Sequence, residues 1–148
     1  IDETKRYCTA TVQDICERYG GNPSRVVLCG FSRGAIACNA VGLHDDKIAA
    51  LWCGFFCHSH YDSDVNVSQP DFDPNAAVQR LSRLRGRPQW ISHEEDVSRV
   101  QSFIERSGVS GSIKFVALPY PNRSPAWILR DNPERDQARE WLRNATTP

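Results

Sequence analysis

The chain has 148 residues, with 18 basic and 18 acidic side chains and 40% apolar residues. This length is typical of one domain with a real hydrophobic core. The balanced charge gives no overall field that would attract nucleic acid or an anionic membrane surface, and no apolar stretch approaches the roughly 20 residues of a membrane span. We therefore expect a soluble protein without nucleic-acid or membrane partners, whose compartment the sequence leaves open.

The chain contains no methionine and begins at Ile1, which predicts that a further segment normally precedes it. Its six cysteines would suit a disulfide framework if this were a small secreted domain. Most of them fall on apolar faces of the predicted elements, where cysteine acts as a small hydrophobic residue. Buried free thiols are therefore the preferred interpretation, and a disulfide framework is the alternative.

The first part of the chain has the pattern helix, strand, helix. Residues 2–19 carry apolar side chains on one face of a helix, which Gly20 and Gly21 end. Residues 25–29 form a short run that is apolar after Arg25 and includes two β-branched valines, as expected of a strand buried on both sides. A helix with small residues, suited to close packing on this strand, follows Ser32.

The same alternation continues to the end of the chain. The predicted elements are, in order, a strand over residues 49–57, a helix over 75–85, a strand over 88–92, a helix over 97–107, a strand over 113–118 and a helix that opens at 131–134. Strands that alternate with helices predict an α/β fold class, a parallel sheet with helices on both faces. Two long polar loops, 58–74 and 119–130, follow strands at the carboxyl edge of this sheet, where open α/β sheets bind ligands.

Residues 30–34, Gly-Phe-Ser-Arg-Gly, fit the pattern G-x-S-x-G between a predicted strand and a predicted helix. In this setting the glycines allow a sharp turn with the serine at its tip, and the helix amides behind it can hold an oxyanion. The pattern predicts that Ser32 is a nucleophile and that the backbone N–H of Arg33 belongs to the oxyanion hole. An ordinary glycine-rich turn is the alternative.

The stretch GGNPSRVVLCGFSRGA, residues 20–35, resembles the run into the nucleophile of the α/β-hydrolase fold family, especially its esterase and dienelactone-hydrolase-like branches. The later segments agree, so the resemblance covers essentially the whole chain in order. It implies that residues 1–148 form a single α/β-hydrolase-like domain with only the fifth to eighth strands, the C-terminal part of a larger domain. A missing N-terminal segment or a second chain would then cover the open sheet edge beside Ser32.

The resemblance also implies an acid partner for the serine. In that family an acid follows the seventh strand and a histidine follows the eighth. The segment PQWISHEEDVSRV, residues 88–100, then places Asp96 at the position of the acid, with Glu94 and Glu95 as neighbouring alternatives. An acid there orients the histidine and stabilises its charged form. Capping of the following helix is the competing interpretation of Asp96.

The position of the histidine holds another residue. The loop PYPNRSPAWILR, residues 119–130, contains no histidine, and the alignment places Arg123 there, or Pro125 after a shift. Arginine cannot act as a base at neutral pH because its pKa lies above about 12. A serine without a base is a poor nucleophile, so we expect weak turnover or none.

Three of the four histidines offer weaker alternatives. His93 ends a strand close to Asp96, and His58 and His60 follow the strand next to that of the serine, so each is a lesser candidate for the base. The run His58-Ser-His60-Tyr-Asp62 also matches the H-x-H-x-D core of metallo-β-lactamase-like hydrolases, which predicts a zinc site. Such sites need further histidines downstream, and only His93 remains there.

The sequence therefore predicts a serine hydrolase-type domain that hydrolyses carboxylic esters through an acyl-serine intermediate. Its turnover would be impaired by the absent base, its substrate would be a small-molecule ester, and it would need no cofactor. A non-catalytic hydrolase-like binding module is the first alternative. A metal-dependent hydrolase using His58, His60 and Asp62 is the second.

Overall fold

The computed structural model describes residues 1–62, 73–94, 96–120 and 122–147. The elements are, in chain order, α1 (Asp2–Tyr19), a 3₁₀ helix (Pro23–Arg25), β1 (Val27–Phe31), α2 (Arg33–Ala40), α3 (Asp46–Ala49), β2 (Gly54–His58), α4 (Pro74–Ser82), β3 (Gly86–Glu94), α5 (Ser98–Ser107), β4 (Gly111–Leu118), a second 3₁₀ helix (Pro125–Leu129) and α6 (Pro133–Ala145). The four strands form one sheet in the order β1-β2-β3-β4, and each neighbouring pair is parallel. The predicted α/β class with a parallel sheet is confirmed.

Helices cover both faces of this sheet. Successive side chains of a strand point to opposite faces, so neighbouring residues of β2 and β3 enter different cores. Phe55 and Ile91 belong to the larger core, which α1 to α5 complete. Phe56 and Trp90 stack with ring centroids 5.4 Å apart on the opposite face, where Trp141 of α6 packs edge-on against both. The contiguous apolar runs of β2 and β3 thus reflect burial on two sides.

The second strand is shorter than the sequence indicated. β2 is limited to Gly54–His58, because residues 49–53 of the predicted strand form the end of α3 and the turn after it. Asp45 caps α3 by accepting a hydrogen bond from the backbone N–H of Ile48 at 3.0 Å. Ile48 and Trp52 are buried in the larger core. The apolar run therefore reflects burial of a short helix and a turn as well as of a strand.

The described sheet has two edge strands, β1 and β4, and β1 is the one that leads to Ser32. Within the described residues, β1 pairs with β2 alone. All six cysteines are free thiols, of which Cys38 and Cys57 are buried and Cys29 is exposed on this edge strand. No helix in the described ranges is both long and apolar enough to cross a membrane. Coverage of the open edge by further strands or a second chain stays a prediction.

Candidate active site at the ends of β1 and β2

Ser32 lies at the junction between β1 and α2. Its backbone has φ 55° and ψ −119°, a conformation that non-glycine residues rarely adopt and that costs about 1–3 kcal/mol. Its N–H donates to the carbonyl oxygen of His58 at 2.9 Å, which extends the ladder between β1 and β2. Ser32 is the N-cap of α2, yet its side chain makes no capping hydrogen bond. The hydroxyl is therefore available for contacts outside the helix.

The two glycines of the motif have different roles. A Cβ atom on Gly30 would lie 2.1 Å from the carbonyl oxygen of Gly34, so only glycine fits there without displacing backbone. A Cβ atom on Gly34 would meet nothing within 4 Å in the described part of the chain. The close approach of β1 to the first turn of α2 therefore depends on Gly30.

Arg123 brings the loop after β4 to the hydroxyl of Ser32. Its Nη2 atom donates to Ser32 Oγ at 3.3 Å, and its Nε atom donates to Ser59 Oγ at 3.1 Å. Nη2 also lies 2.7 Å from Nδ1 of His60 and contacts the other nitrogen of that ring. Of the two positions that the sequence offered for the missing base, Arg123 meets Ser32, whereas Pro125 lines an apolar cavity.

In this contact the guanidinium of Arg123 can act only as a hydrogen-bond donor. A guanidinium carries five N–H donors and no acceptor atom, so it cannot take the proton of Ser32. It instead donates to the oxygen that would have to attack a substrate. The described partners of Arg123 are two hydroxyl groups and an imidazole, and no carboxylate of the described residues lies within ion-pair distance of it.

Ser59 is a site residue that sequence reasoning missed. It follows β2, is fully buried and has φ 76°. Its N–H donates to the carbonyl oxygen of Ser92 at 2.8 Å. The end of β2 thus repeats the arrangement at the end of β1, a serine with positive φ whose hydroxyl meets Arg123. Its place directly after a strand was the one available signal, since serine does not by itself favour positive φ.

His58 is buried and holds the loop that carries Arg123. Its Nδ1 lies 3.2 Å from Ser92 Oγ, and its Nε2 accepts a hydrogen bond from Trp127 Nε1 at 3.1 Å. Burial lowers the pKa of His58 below its ordinary 6.5, so the ring is uncharged at neutral pH and can accept from the indole. Both ring nitrogens are thus engaged by β3 and by the loop, and the suggestion that His58 serves as the base of Ser32 gains no support.

Asp96, the predicted acid, lies just before α5. Its exposed carboxylate accepts hydrogen bonds from the backbone N–H of Ser98 at 2.8 Å and from its hydroxyl at 2.7 Å. The backbone bond, followed by the hydroxyl, lowers the pKa of Asp96. Val97, not Asp96, is the N-cap of α5, so Asp96 binds the first residue of the helix from one position before the cap. A catalytic role for Asp96 stays a prediction.

Glu94, at the end of β3, is the acid that contacts the histidines of this region. Its Oε1 lies 3.8 Å from His58 Nε2 and its Oε2 lies 3.5 Å from His93 Nδ1. The Glu94 side chain is 11% exposed, and Oε1 has no hydrogen-bond partner among the described residues. The His93 ring stacks on that of His60 with centroids 6.4 Å apart. Glu95, the other alternative acid, lies outside the described residues.

Arg33 is the first residue of α2. The first N–H groups of a helix have no acceptor within that helix, so the Arg33 amide can donate to an oxyanion formed next to Ser32. The amide of Ser32 itself is already used by the carbonyl oxygen of His58. The oxyanion role of Arg33 is consistent with this geometry and stays a prediction.

The zinc site considered as an alternative does not form among the described residues. The carboxylate of Asp62 accepts two hydrogen bonds from Arg80, at 2.7 Å and 3.1 Å, and His58 is engaged by Ser92 and Trp127. The described part of the chain has no group of three or more His, Cys, Asp or Glu residues that could hold a metal ion. The metal-dependent interpretation therefore gains no support.

An apolar cavity of about 360 Å³ is lined by residues of β1, β2, α6 and the segment before α6, and neither Ser32 nor Arg123 is among them. Its wall includes Phe31, which precedes Ser32, and Pro125, two residues after Arg123. Trp127 also lines the cavity, and its indole is fixed by the hydrogen bond to the buried His58.

Comparison with known proteins gave no relative: no family model, no curated protein and no solved structure matches the chain.

Proposed function

We propose that this chain carries a serine hydrolase-type site for carboxylic esters, of the kind found in the α/β-hydrolase fold family, with impaired turnover. One observation carries the proposal. Ser32, in a strained turn between strand and helix, presents its Oγ at 3.3 Å from Nη2 of Arg123, the residue that stands where a histidine would be expected. Backbone strain of this kind clusters at functional sites, which supports a chemical role for the serine.

The proposed reaction is attack of Ser32 Oγ on the ester carbonyl carbon, with loss of the alcohol and formation of an acyl-serine. The Arg33 amide would donate to the oxyanion of the tetrahedral intermediate. The proton of Ser32 has to leave during the attack, and a guanidinium does not accept it because it has no acceptor atom. A positioned general base contributes about 10²–10⁴-fold to such a step, so turnover without one is expected to be slower by that factor.

The decisive experiment is to replace Arg123 by histidine and measure how fast a fluorophosphonate probe labels Ser32. We expect Arg123→His to be labelled at least about 100-fold faster than the wild-type protein, with a parallel gain in hydrolysis of a short-chain nitrophenyl ester. Peptide mass spectrometry should place the label on Ser32. The double variant Ser32→Ala/Arg123→His is the matched control and should not be labelled.

A second variant covers the difference in reach between the two side chains. Histidine is shorter than arginine, so Arg123→Ala with added imidazole supplies the base without depending on side-chain length. We expect labelling that rises with imidazole concentration and that Ser32→Ala/Arg123→Ala lacks. If neither variant labels Ser32 while both keep the wild-type melting temperature, the hydrolase proposal is wrong. Fast labelling of the wild-type protein would contradict the impaired turnover.

A non-catalytic binding module on the same fold is the second candidate. The observation that favours it is that the group contacting Ser32 Oγ is the donor-only guanidinium of Arg123. This function would leave all of the variants above unlabelled and would keep a ligand in the site without bond cleavage.

A further inference from the structure

We propose that His60 is the general base of Ser32 and that Arg123 blocks it by lying between the two side chains. The inference rests on the proposed function for the role of Ser32, and it adds a base and a form of regulation to that site. While the guanidinium of Arg123 lies there, the site is inactive. When the guanidinium turns away, one water molecule can take its place and carry the proton of Ser32 to His60.

One nitrogen atom of Arg123 contacts both the serine and the histidine. Its Nη2 lies 3.3 Å from Ser32 Oγ and 2.7 Å from His60 Nδ1. A water oxygen near the position of Nη2 can therefore accept a hydrogen bond from the serine hydroxyl and donate one to the imidazole. A general base can act through one such water molecule. The distance between Ser32 and His60 thus suits proton transfer once the guanidinium has left.

The same contact indicates which kind of ring nitrogen His60 presents to the site. A guanidinium has donors and no acceptor atom, so the imidazole nitrogen that it contacts has to present a lone pair. A general base needs such a lone pair to take a proton. His58 is placed differently, because its ring nitrogens are engaged by Ser92 and Trp127.

The charged groups around His60 favour its role as a base only when Arg123 is absent. The ring of His93 stacks on that of His60, with centroids 6.4 Å apart. Glu94 Oε2 lies 3.5 Å from His93 Nδ1, and a nearby carboxylate stabilises the imidazolium that forms when His60 takes a proton. The positive charge of Arg123 disfavours that imidazolium. Departure of the guanidinium therefore removes a repulsion as well as opening the space.

Arg123 can turn away without unfolding the loop that carries it. Its side chain is exposed, and exposed side chains change rotamer rapidly. The loop itself is held by other residues. The carbonyl oxygen of Ser124 lies 3.3 Å from Nε2 of the buried His58, and Trp127 donates to the same atom. The backbone can therefore stay in place while the guanidinium moves into solvent.

The proposed proton transfer balances within the site. As Ser32 Oγ bonds to the carbonyl carbon of the ester, its proton passes through the water molecule to the lone pair of His60. The imidazolium then returns a proton to the oxygen of the leaving alcohol as the bond between that oxygen and the carbonyl carbon breaks. The products are the acyl-serine, the alcohol and a neutral His60.

The test is fluorophosphonate labelling of Ser32 in Arg123→Ala without added imidazole. We expect this variant to be labelled at least about tenfold faster than the wild-type protein. The rate should rise between about pH 5 and pH 8, because an imidazole loses its proton in this range and only the neutral ring is a base. Arg130→Ala removes another exposed arginine of the same loop and should be labelled as slowly as the wild-type protein.

A second pair of variants tests the assignment of His60. His60→Gln/Arg123→Ala should lose the gain in rate and its pH dependence. Added imidazole should restore labelling of this variant, which would show that Ser32 and the fold around it are intact. His44, between α2 and α3, gives the matched control. His44→Gln/Arg123→Ala should be labelled as fast as Arg123→Ala.

Three results would overturn the inference: labelling of Arg123→Ala that requires imidazole, no change on His60→Gln, or an equal loss on His44→Gln. The proposed function stands in each of these cases if imidazole or Arg123→His still leads to labelling of Ser32. If neither does, the proposed function is wrong and the inference fails with it. The two failures are therefore distinguishable.

Discussion

Two arginines contact the segment that follows β2, and their surroundings are opposite. Arg80 of α4 is buried and donates twice to the buried carboxylate of Asp62. Arg123 is exposed and donates to the hydroxyls of Ser32 and Ser59, without a carboxylate partner in the described part of the chain. The charge of the first arginine is thus neutralised within the fold, whereas the described partners of the second are two hydroxyl groups and the imidazole of His60.

The surroundings of Arg80 are also fixed by a buried polar network. Tyr61, next to Asp62, donates its hydroxyl hydrogen to Gln89 Oε1 at 2.8 Å, and Gln89 Nε2 donates to Asn39 Oδ1 at 2.9 Å. The network ends at Asn39, whose buried Nδ2 atom has no hydrogen-bond partner among the described residues. The hydrogen bonds of Tyr61 and Asp62 nevertheless hold the segment that follows β2 against β3 and α4.

The largest difference in the free energy of unfolding is expected between a variant that lacks the Arg80 guanidinium and one that lacks the Arg123 guanidinium. Arg80→Met leaves the carboxylate of Asp62 buried without its partner, which should lower the free energy of unfolding by about 3–5 kcal/mol. Arg123→Met should lower it by about 1 kcal/mol or less, because Ser59 is its one fully buried partner of those described. Urea unfolding of the two variants measures both values. Equal losses would show that Arg123 is a structural residue and would remove the contrast.

The stability of the turn that carries Ser32, the contact of Arg123, is expected to depend on backbone geometry and not on an ion pair. Gly30→Ala places a Cβ atom 2.1 Å from the carbonyl oxygen of Gly34, so β1 and α2 must separate, with an expected loss of about 1–3 kcal/mol. Gly34→Ala is the matched control on the same turn and should be neutral or stabilising, because the position is helical and open. Thermal unfolding of both variants compares them. A similar loss in Gly34→Ala would contradict the different roles of the two glycines.

The smallest expected effect is a pH dependence of the free energy of unfolding, caused by Asp62, the partner of Arg80. Burial raises the pKa of Asp62 from its ordinary 3.8 to about 6, against the opposing effect of Arg80. A carboxyl group with a higher pKa in the folded state binds more protons there, so the free energy of unfolding should rise as the pH falls through 6. Relative to Asp62→Asn, the wild-type protein should gain about 1 kcal/mol between pH 8 and pH 5.

Urea unfolding of the wild-type protein and Asp62→Asn at both pH values checks this, since the other titrating groups are common to the two proteins. A relative loss at pH 5 would mean that the attraction of Arg80 outweighs the effect of burial. The ion pair would then stabilise the fold at neutral pH and increase the difference in unfolding free energy between the Arg80 and Arg123 variants.

Most of the architecture could be predicted because it depends on residues close together in the chain. The alternation of apolar runs and amphipathic segments indicated the parallel sheet, and the stretch 131–134 indicated a capped helix, in which Asn132 Oδ1 accepts from the N–H of Arg135 at 2.8 Å. The boundary of β2 was wrong because buried helices and turns are apolar too. Local pattern reports burial better than it reports the element that is buried.

The features of the candidate site also divide into those that neighbouring residues determine and those that depend on the fold. The sequence by itself determined the strand-turn-helix around Ser32, because the close approach that requires Gly30 is made within four residues of it. Only the tertiary structure decided that Arg123, 91 residues after Ser32, meets its hydroxyl, that Ser59 shares the same guanidinium, and that Asp62 pairs with Arg80. Those contacts depend on the order of four parallel strands and on the loops that close over their ends, and no spacing within a single segment encodes them.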